Sequence, residues 1–300
     1  MARTRSHVGL REPNKTLSTP GWPPRSGPRE EEDEMLIQSF LYSRIASGLA
    51  MFMSQAIPQQ TGYSLAENIG RAVGRLSGSA QQRAVRVNQW VVSCRQLRGR
   101  ELDRVTESVF RFTGYVLYDF YHNINRPRVI LDKVQFTPRM ERFLTRERFE
   151  GGCMFVVPHI GNFDLAGRAM ALRGLEFQVL SYPQPPGGYK VQNKLREVPG
   201  MDVTPMSMES MRDASKRLAN GGIVITGMDR PLPESNYHPR FFGIPAPMPV
   251  AYIRLAMKAN VPIVVGAVKR IAGGRYLVDA SEPIHMRRFD DLKTEMETNA

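Results

Sequence analysis

From Val129 onward, short apolar runs alternate with stretches of helical periodicity. Strands are predicted near 129–135, 153–158, 176–181, 201–204, 222–226, 262–268 and 275–280. Helices are predicted near 139–148, 163–173, 188–197, 208–219 and 250–259. Such alternation predicts an α/β fold, a mixed sheet flanked by helices. Upstream the period is helical. Val85, Trp90 and Val91 mark a helix over 81–97, and Val105, Val109, Phe112, Val116 and Phe120 mark another over 101–122. Ser64-Leu65-Ala66-Glu67 fits a capping box. The aromatics Phe110, Phe112, Tyr115, Tyr118, Phe120 and Tyr121 read as core packing rather than as a ligand groove. The expected organisation is a tail over 1–34 and one domain over 35–300, with helices in 35–125 and an α/β core in 126–300.

Residues 1–34 are rich in Pro, Arg, Ser and Gly, end in Glu30-Glu31-Glu32-Asp33-Glu34, and are expected to be disordered. They lack the apolar core of a secretory signal. The stretch 36–57 carries a single charge, Arg44, and is long enough to cross a bilayer. Its serines and glutamines make it polar for a span. Ile37, Leu41, Ile45, Leu49, Phe52 and Ala56 fall close to one helical face. An amphipathic helix lying on a membrane is the expectation, with a helix docked on the domain as the alternative. The tail holds six basic and six acidic residues, so the net charge of +12 belongs to 35–300. A basic folded part suits an acidic partner: an anionic membrane surface, a phosphorylated carrier such as coenzyme A, an acidic carrier protein or nucleic acid. Cys94 and Cys153 form no metal-spaced motif, which fits a reduced, cytoplasmic setting.

The candidate chemistry lies in Val156-Val157-Pro158-His159-Ile160-Gly161-Asn162-Phe163-Asp164. The apolar run from Cys153 reads as a buried strand that Pro158 ends. Asn162 suits a helix N-cap, with Asp164 in the first turn, where a carboxylate meets the positive end of the helix dipole. His159 is thereby expected at the carboxyl end of a strand, where open α/β sheets bind ligands. Asp164 lies one turn away and is expected to reach the imidazole. A carboxylate on one ring nitrogen fixes the tautomer and leaves the other to take a proton from a hydroxyl. The remaining histidines, His7, His122, His238 and His285, are scattered, so no metal site is expected. There is no G-x-S-x-G elbow and no G-x4-G-K-[ST] phosphate loop.

The block Pro158-His159-Ile160-Gly161-Asn162-Phe163-Asp164 resembles the P-H-x-G-N-x-D of the late acyltransferases of lipid A biosynthesis and the phosphatidylinositol mannoside acyltransferases. Those families continue, as this chain does, with a short strand and an acidic residue often followed by Arg, here Ile223 through Asp229-Arg230. Next come Phe241-Phe242-Gly243, the turn Ala246-Pro247-Met248-Pro249, a helix over 252–258 and a strand over 261–266. The resemblance runs from about residue 35 to about residue 285. It implies a membrane-associated acyltransferase without cofactor or metal. The acyl donor would be acyl-coenzyme A or acyl carrier protein, and the acceptor a glycolipid or other membrane lipid. Work would be done at the cytoplasmic face of the cell membrane, with 36–57 as a peripheral or single N-terminal anchor. It implies His159 as general base, with Asp164 and Asp229 as its carboxylates. In the mannoside enzymes the position of Asp229 is the one thought to serve the histidine. Backbone N–H groups around Gly161 and Asn162 would hold the oxyanion. Arg196 matches an arginine of the families and suits an anion, with an ion pair as the alternative. Arg230 is grouped with it at the substrate. Two other readings stay open. One is a silent lipid-binding relative, since Val250-Ala251-Tyr252 replaces a glycine-containing segment and the chain stops at Ala300 where those families commonly continue. The other is a basic nucleic-acid-binding protein, supported by charge alone and by no recognised module.

Overall fold

The computed structural model describes residues 44–76, 79–146, 151–183, 187–232 and 234–300. The expected tail and the first part of the 36–57 helix lie outside them, as do Pro185 and Pro186. The chain opens with α1 (Arg44–Ala56), α2 (Gln59–Arg75), α3 (Ala80–Val92), α4 (Gly99–Asn123) and α5 (Pro127–Lys133). The core follows as β1 (Val134–Phe136), α6 (Pro138–Leu144), β2 (Cys153–Val157), α7 (Phe163–Leu172), β3 (Phe177–Ser181), α8 (Gly187–Arg196), β4 (Met201–Pro205), α9 (Met208–Ala219) and β5 (Ile223–Gly227). A small hairpin, β6 (Arg240–Phe241) and β7 (Ile244–Pro245), precedes α10 (Ala251–Ala259), β8 (Ile263–Ile271), β9 (Arg275–Ala280) and α11 (Leu292–Asn299).

Seven strands form one sheet in the order β1-β9-β8-β2-β5-β3-β4. All neighbours are parallel except β8 and β9, so the sheet is mixed and the fold is α/β, as expected. The central strands β2 and β5 read CMFVV and IVITG because helices cover both faces. Phe155, Phe177 and Ile225 face Leu165, Ala166 and Met170 of α7. Met154, Val156 and Val224 face the α9 and α10 side, with Ala214, Leu218 and Ile253. After β4 the chain doubles back, and β5 enters between β2 and β3. That reversal makes the carboxyl ends of β2 and β5 neighbours, the place where an open α/β sheet leaves a crevice.

The helical region is fastened to the core by buried polar groups. Asp119 on α4 is fully buried and takes a 2.9 Å ion pair from Lys133 on α5. Asn123 and Tyr63 donate to the same carboxylate oxygen. Tyr115, Tyr118, Phe120 and Tyr121 are buried core residues, as expected of them.

Several expectations are corrected. Residues 129–135, read as a strand, are mostly helix α5. Pro127 supplies a helix start at its first position, and only the last residues join β1. Ser64 and Glu67 lie inside α2, which starts after Pro58 instead. The helix predicted over 81–97 stops at Val92, because Cys94 and Arg95 turn with φ of +52° and +65°. The described part of the 36–57 helix docks on α4 through polar residues and leaves part of its apolar face outward. Phe52 is exposed, while Ser54 is buried and Gln55 donates to the Tyr121 and His122 carbonyls of α4. Among the described residues no helix is long and apolar enough to cross a membrane.

Candidate active site

The site starts from a local turn. Asn162 is the N-cap of α7, its side-chain oxygen accepting from the Leu165 N–H at 3.1 Å, worth about 1 kcal/mol. Gly161 sits at φ +64°, and a Cβ there would be 2.2 Å from the Val268 carbonyl oxygen. Only glycine allows the loop this close to β8. The turn therefore hands the chain from β2 to α7 with His159 at the strand end and Asp164 in the first helical turn.

Register does the rest. Val157 stands beside Gly227 in the parallel β2–β5 pair. Two residues further along each chain, His159 stands beside Asp229. Asp229 Oδ2 accepts from the His159 backbone N–H at 2.8 Å, and Oδ1 accepts from the ring Nδ1 at 2.5 Å. One carboxylate thus fixes both the turn and the imidazole. The tautomer follows: Nδ1 carries the proton shared with Asp229, and Nε2 is left as a base. Burial would raise the Asp229 carboxyl. Hydrogen bonds from the His159 ring and backbone, together with the charge of the ring, outweigh it and hold the carboxyl below its ordinary value.

Asp164 does not share this role. Its two oxygens accept from Nε (2.6 Å) and Nη2 (3.1 Å) of Arg196, a bidentate pair with side chains only 16% and 11% exposed. Arg196 also donates from Nη1 to Asn193 at 3.0 Å. The expectation that Asp164 reaches the imidazole is corrected by this geometry, because the guanidinium fork matches a carboxylate better than a ring nitrogen does. The ion-pair alternative for Arg196 is the one the fold shows. Phe163 links the two pairs, its ring 5.1 Å from that of His159 and beneath the Arg196 guanidinium at 6.0 Å. Asn162 is fully buried, and its side chain serves the helix cap. Arg230 is exposed and lines the mouth.

His159 opens onto a cavity of about 560 Å³ between the sheet and α7, a size typical of ligand pockets. Phe155, Phe177 and Ile225 from the strands, Met170 from α7 and Met201 and Val203 from β4 make its walls. Polar groups gather at one end: His159, Asp164, Arg196, Ser181, Thr226, Arg230 and Glu234. The wall residues were not singled out from sequence, since each looks like ordinary core. A signal was present in the side-chain alternation, which sends Phe155, Val157, Phe177, Val179 and Ile225 to one face.

A pocket that is apolar in its body, with charged groups of both signs and a carboxylate-held histidine at its polar end, can hold an acyl chain and present its carbonyl to a base. Over 113 residues the chain is 31% identical to the phosphatidylinositol mannoside acyltransferase of Mycobacterium tuberculosis (strain ATCC 25618 / H37Rv). That alignment covers 36% of this chain and 36% of that protein. The family described as bacterial lipid A biosynthesis acyltransferase matches over residues 37–298. The chain belongs to the bacterial lipid A biosynthesis acyltransferase family.

Proposed function

We propose that this protein moves a fatty acyl group from a thioester to a hydroxyl of a membrane lipid. The donor is acyl-coenzyme A or acyl carrier protein, and the work is done at the cytoplasmic face of the cell membrane. The observation that carries the reading is the His159–Asp229 pair at the mouth of the apolar cavity. The acyl chain lies in the cavity, where burial contributes ~0.8 kcal/mol per methylene. His159 Nε2 takes the proton of the acceptor hydroxyl as its oxygen attacks the thioester carbonyl carbon. Asp229 stabilises the imidazolium across Nδ1. Backbone N–H groups at the start of α7, around Gly161 and Asn162, face the developing oxyanion. The tetrahedral intermediate collapses, the C–S bond breaks, and the thiolate leaves with the proton from His159. Every step uses groups of this chain and its two substrates. Arg230 at the mouth suits the phosphates of either donor.

The test is thiol release from acyl-coenzyme A with and without a lipid extract of the source organism, for the parent protein and His159→Ala. Release that depends on lipid and falls by ~10²–10⁴-fold in the variant supports the reading. A variant with near-parent turnover ends the mechanism.

A further inference from the structure

The Phe241-Phe242-Gly243 segment has no part in the chemistry above, yet its presentation is costly. It forms the tip of the β6–β7 hairpin, where Phe241 pairs with Ile244. Phe242 adopts φ +49° and Gly243 φ +77°. A bulky residue at positive φ is uncommon and strained. The Arg240 guanidinium braces the turn by donating to the Gly243 carbonyl at 3.0 Å. The two rings meet edge to face at 4.8 Å, and the residues are 43% and 52% exposed. A core would hide such rings; here a strained, braced turn holds them out in water.

The hairpin also stands beside the mouth of the cavity. Its feet, Pro239 and Ala246, are joined by a 3.0 Å backbone bond, and Pro247 accepts from the Leu232 N–H at 2.7 Å. Leu232 lines the cavity, as does Pro249 just beyond the second foot. Three residues from Pro239 to Phe242 span ~10 Å at most, so the tip lies close to the rim. That rim is itself apolar: Leu232 and Tyr182 line the opening, and both are exposed, as is Ile160 beside His159. Arg240 is the cation on the hairpin itself, and Arg230 and Glu234 line the cavity, on a chain of net charge +12.

We propose that the β6–β7 hairpin is an interfacial finger: Phe241 and Phe242 enter the headgroup–acyl boundary of an anionic bilayer and hold the cavity mouth against it. The occupant follows from the chemistry of the patch. Rings at the tip suit the acyl boundary, and Arg240 beside them, on a basic chain, suits the lipid phosphates. The adjoining opening, on the proposed function, must receive a lipid that does not leave the membrane. The purpose of the finger rests on that reading, while its insertion is measured separately.

The experiment uses the full chain and vesicles of phosphatidylglycerol and phosphatidylethanolamine. Phe241→Ser/Phe242→Ser should partition onto vesicles about tenfold or more weakly than the parent, since two half-buried rings are lost from the boundary. In a second variant, Phe242→Trp, vesicles should shift the added indole emission to the blue, and brominated acyl chains should quench it beyond the parent's baseline. Thiol release from acyl-coenzyme A with the lipid extract dispersed in detergent, without vesicles, reads the chemistry independently, and the serine variant should leave it unchanged. Equal partitioning of parent and serine variant overturns the finger. So does an introduced indole that stays in water while the protein binds, or a parent that does not bind. Loss of thiol release in the parent, with insertion intact, defeats the acyl-transfer reading and spares the finger.

Discussion

Gly227 ends β5 against the His159 ring. A Cβ at this position would stand 2.5 Å from His159 Cε1, 3.3 Å from Nε2 and 3.4 Å from Nδ1. Carbon atoms pack at ~3.5–4.0 Å, so Gly227→Ala requires the imidazole to recede by about 1 Å. The ring is not free to do so, because Asp229 holds Nδ1 at 2.5 Å and the preceding backbone N–H at 2.8 Å. Retreat therefore lengthens the bond that sets the tautomer and moves Nε2 away from the position proposed for the acceptor hydroxyl. A misplacement of about 1 Å costs on the order of 10²-fold in rate. The backbone of Gly227 is not in the left-handed region, so alanine itself is tolerated by the strand. We expect kcat for thiol release to fall about 10²-fold, KM to change little, and Tm to drop by a few degrees at most. The double variant with His159→Ala should be no slower than His159→Ala alone, because both act through one ring. A Gly227→Ala enzyme within about threefold of the parent would refute the reasoning, since the position of the ring would then not control the rate.

Other consequences can be measured on the same protein. Asp229 has a lowered folded pKa, so its contribution to stability is complete above the unfolded value of about 3.9 and fades as pH falls through the folded value. The Tm gap between parent and Asp229→Asn should hold at neutral pH and close in acid; a gap constant down to pH ~2 would contradict the linkage. Asp164→Asn strands the Arg196 guanidinium in a nearly buried place and should cost about 3 kcal/mol in urea unfolding. Adding Arg196→Met should recover part of that loss, and strict additivity would show the two side chains to be independent. Burial, only partly offset by Arg146, pushes the Cys153 thiol up to about 12, while Cys94 is exposed. A thiol reagent at pH 8 should label one cysteine of the native protein, and Cys94→Ser should abolish that label; rapid modification of both thiols would place Cys153 at the surface.

The residues around His159 were legible because their interactions are local. A proline that ends a strand, a glycine at positive φ and an asparagine that caps three residues ahead all act within one turn of chain. The same holds for the buried strands, whose apolar runs reflect helices on both faces. Where local signals compete, sequence alone decides less. Val129-Ile130-Leu131 has strand composition, yet Pro127 starts a helix that packs against α7. Ser64 and Glu67 have capping chemistry, yet Pro58 begins α2 a turn and a half earlier.

By itself, then, the sequence determined the alternating α/β core, the turn that presents His159, and the helix start that carries Asp164. Only the tertiary structure decided how the charges pair. Asp164, five positions from His159, turns to Arg196, because α8 brings a bidentate donor against its first-turn position. Asp229, seventy positions away, reaches His159 because β5 enters the sheet beside β2 with Val157 level with Gly227. A strand register is a long-range choice, set by how whole apolar faces bury, and a shift of one residue would turn either side chain to the opposite face.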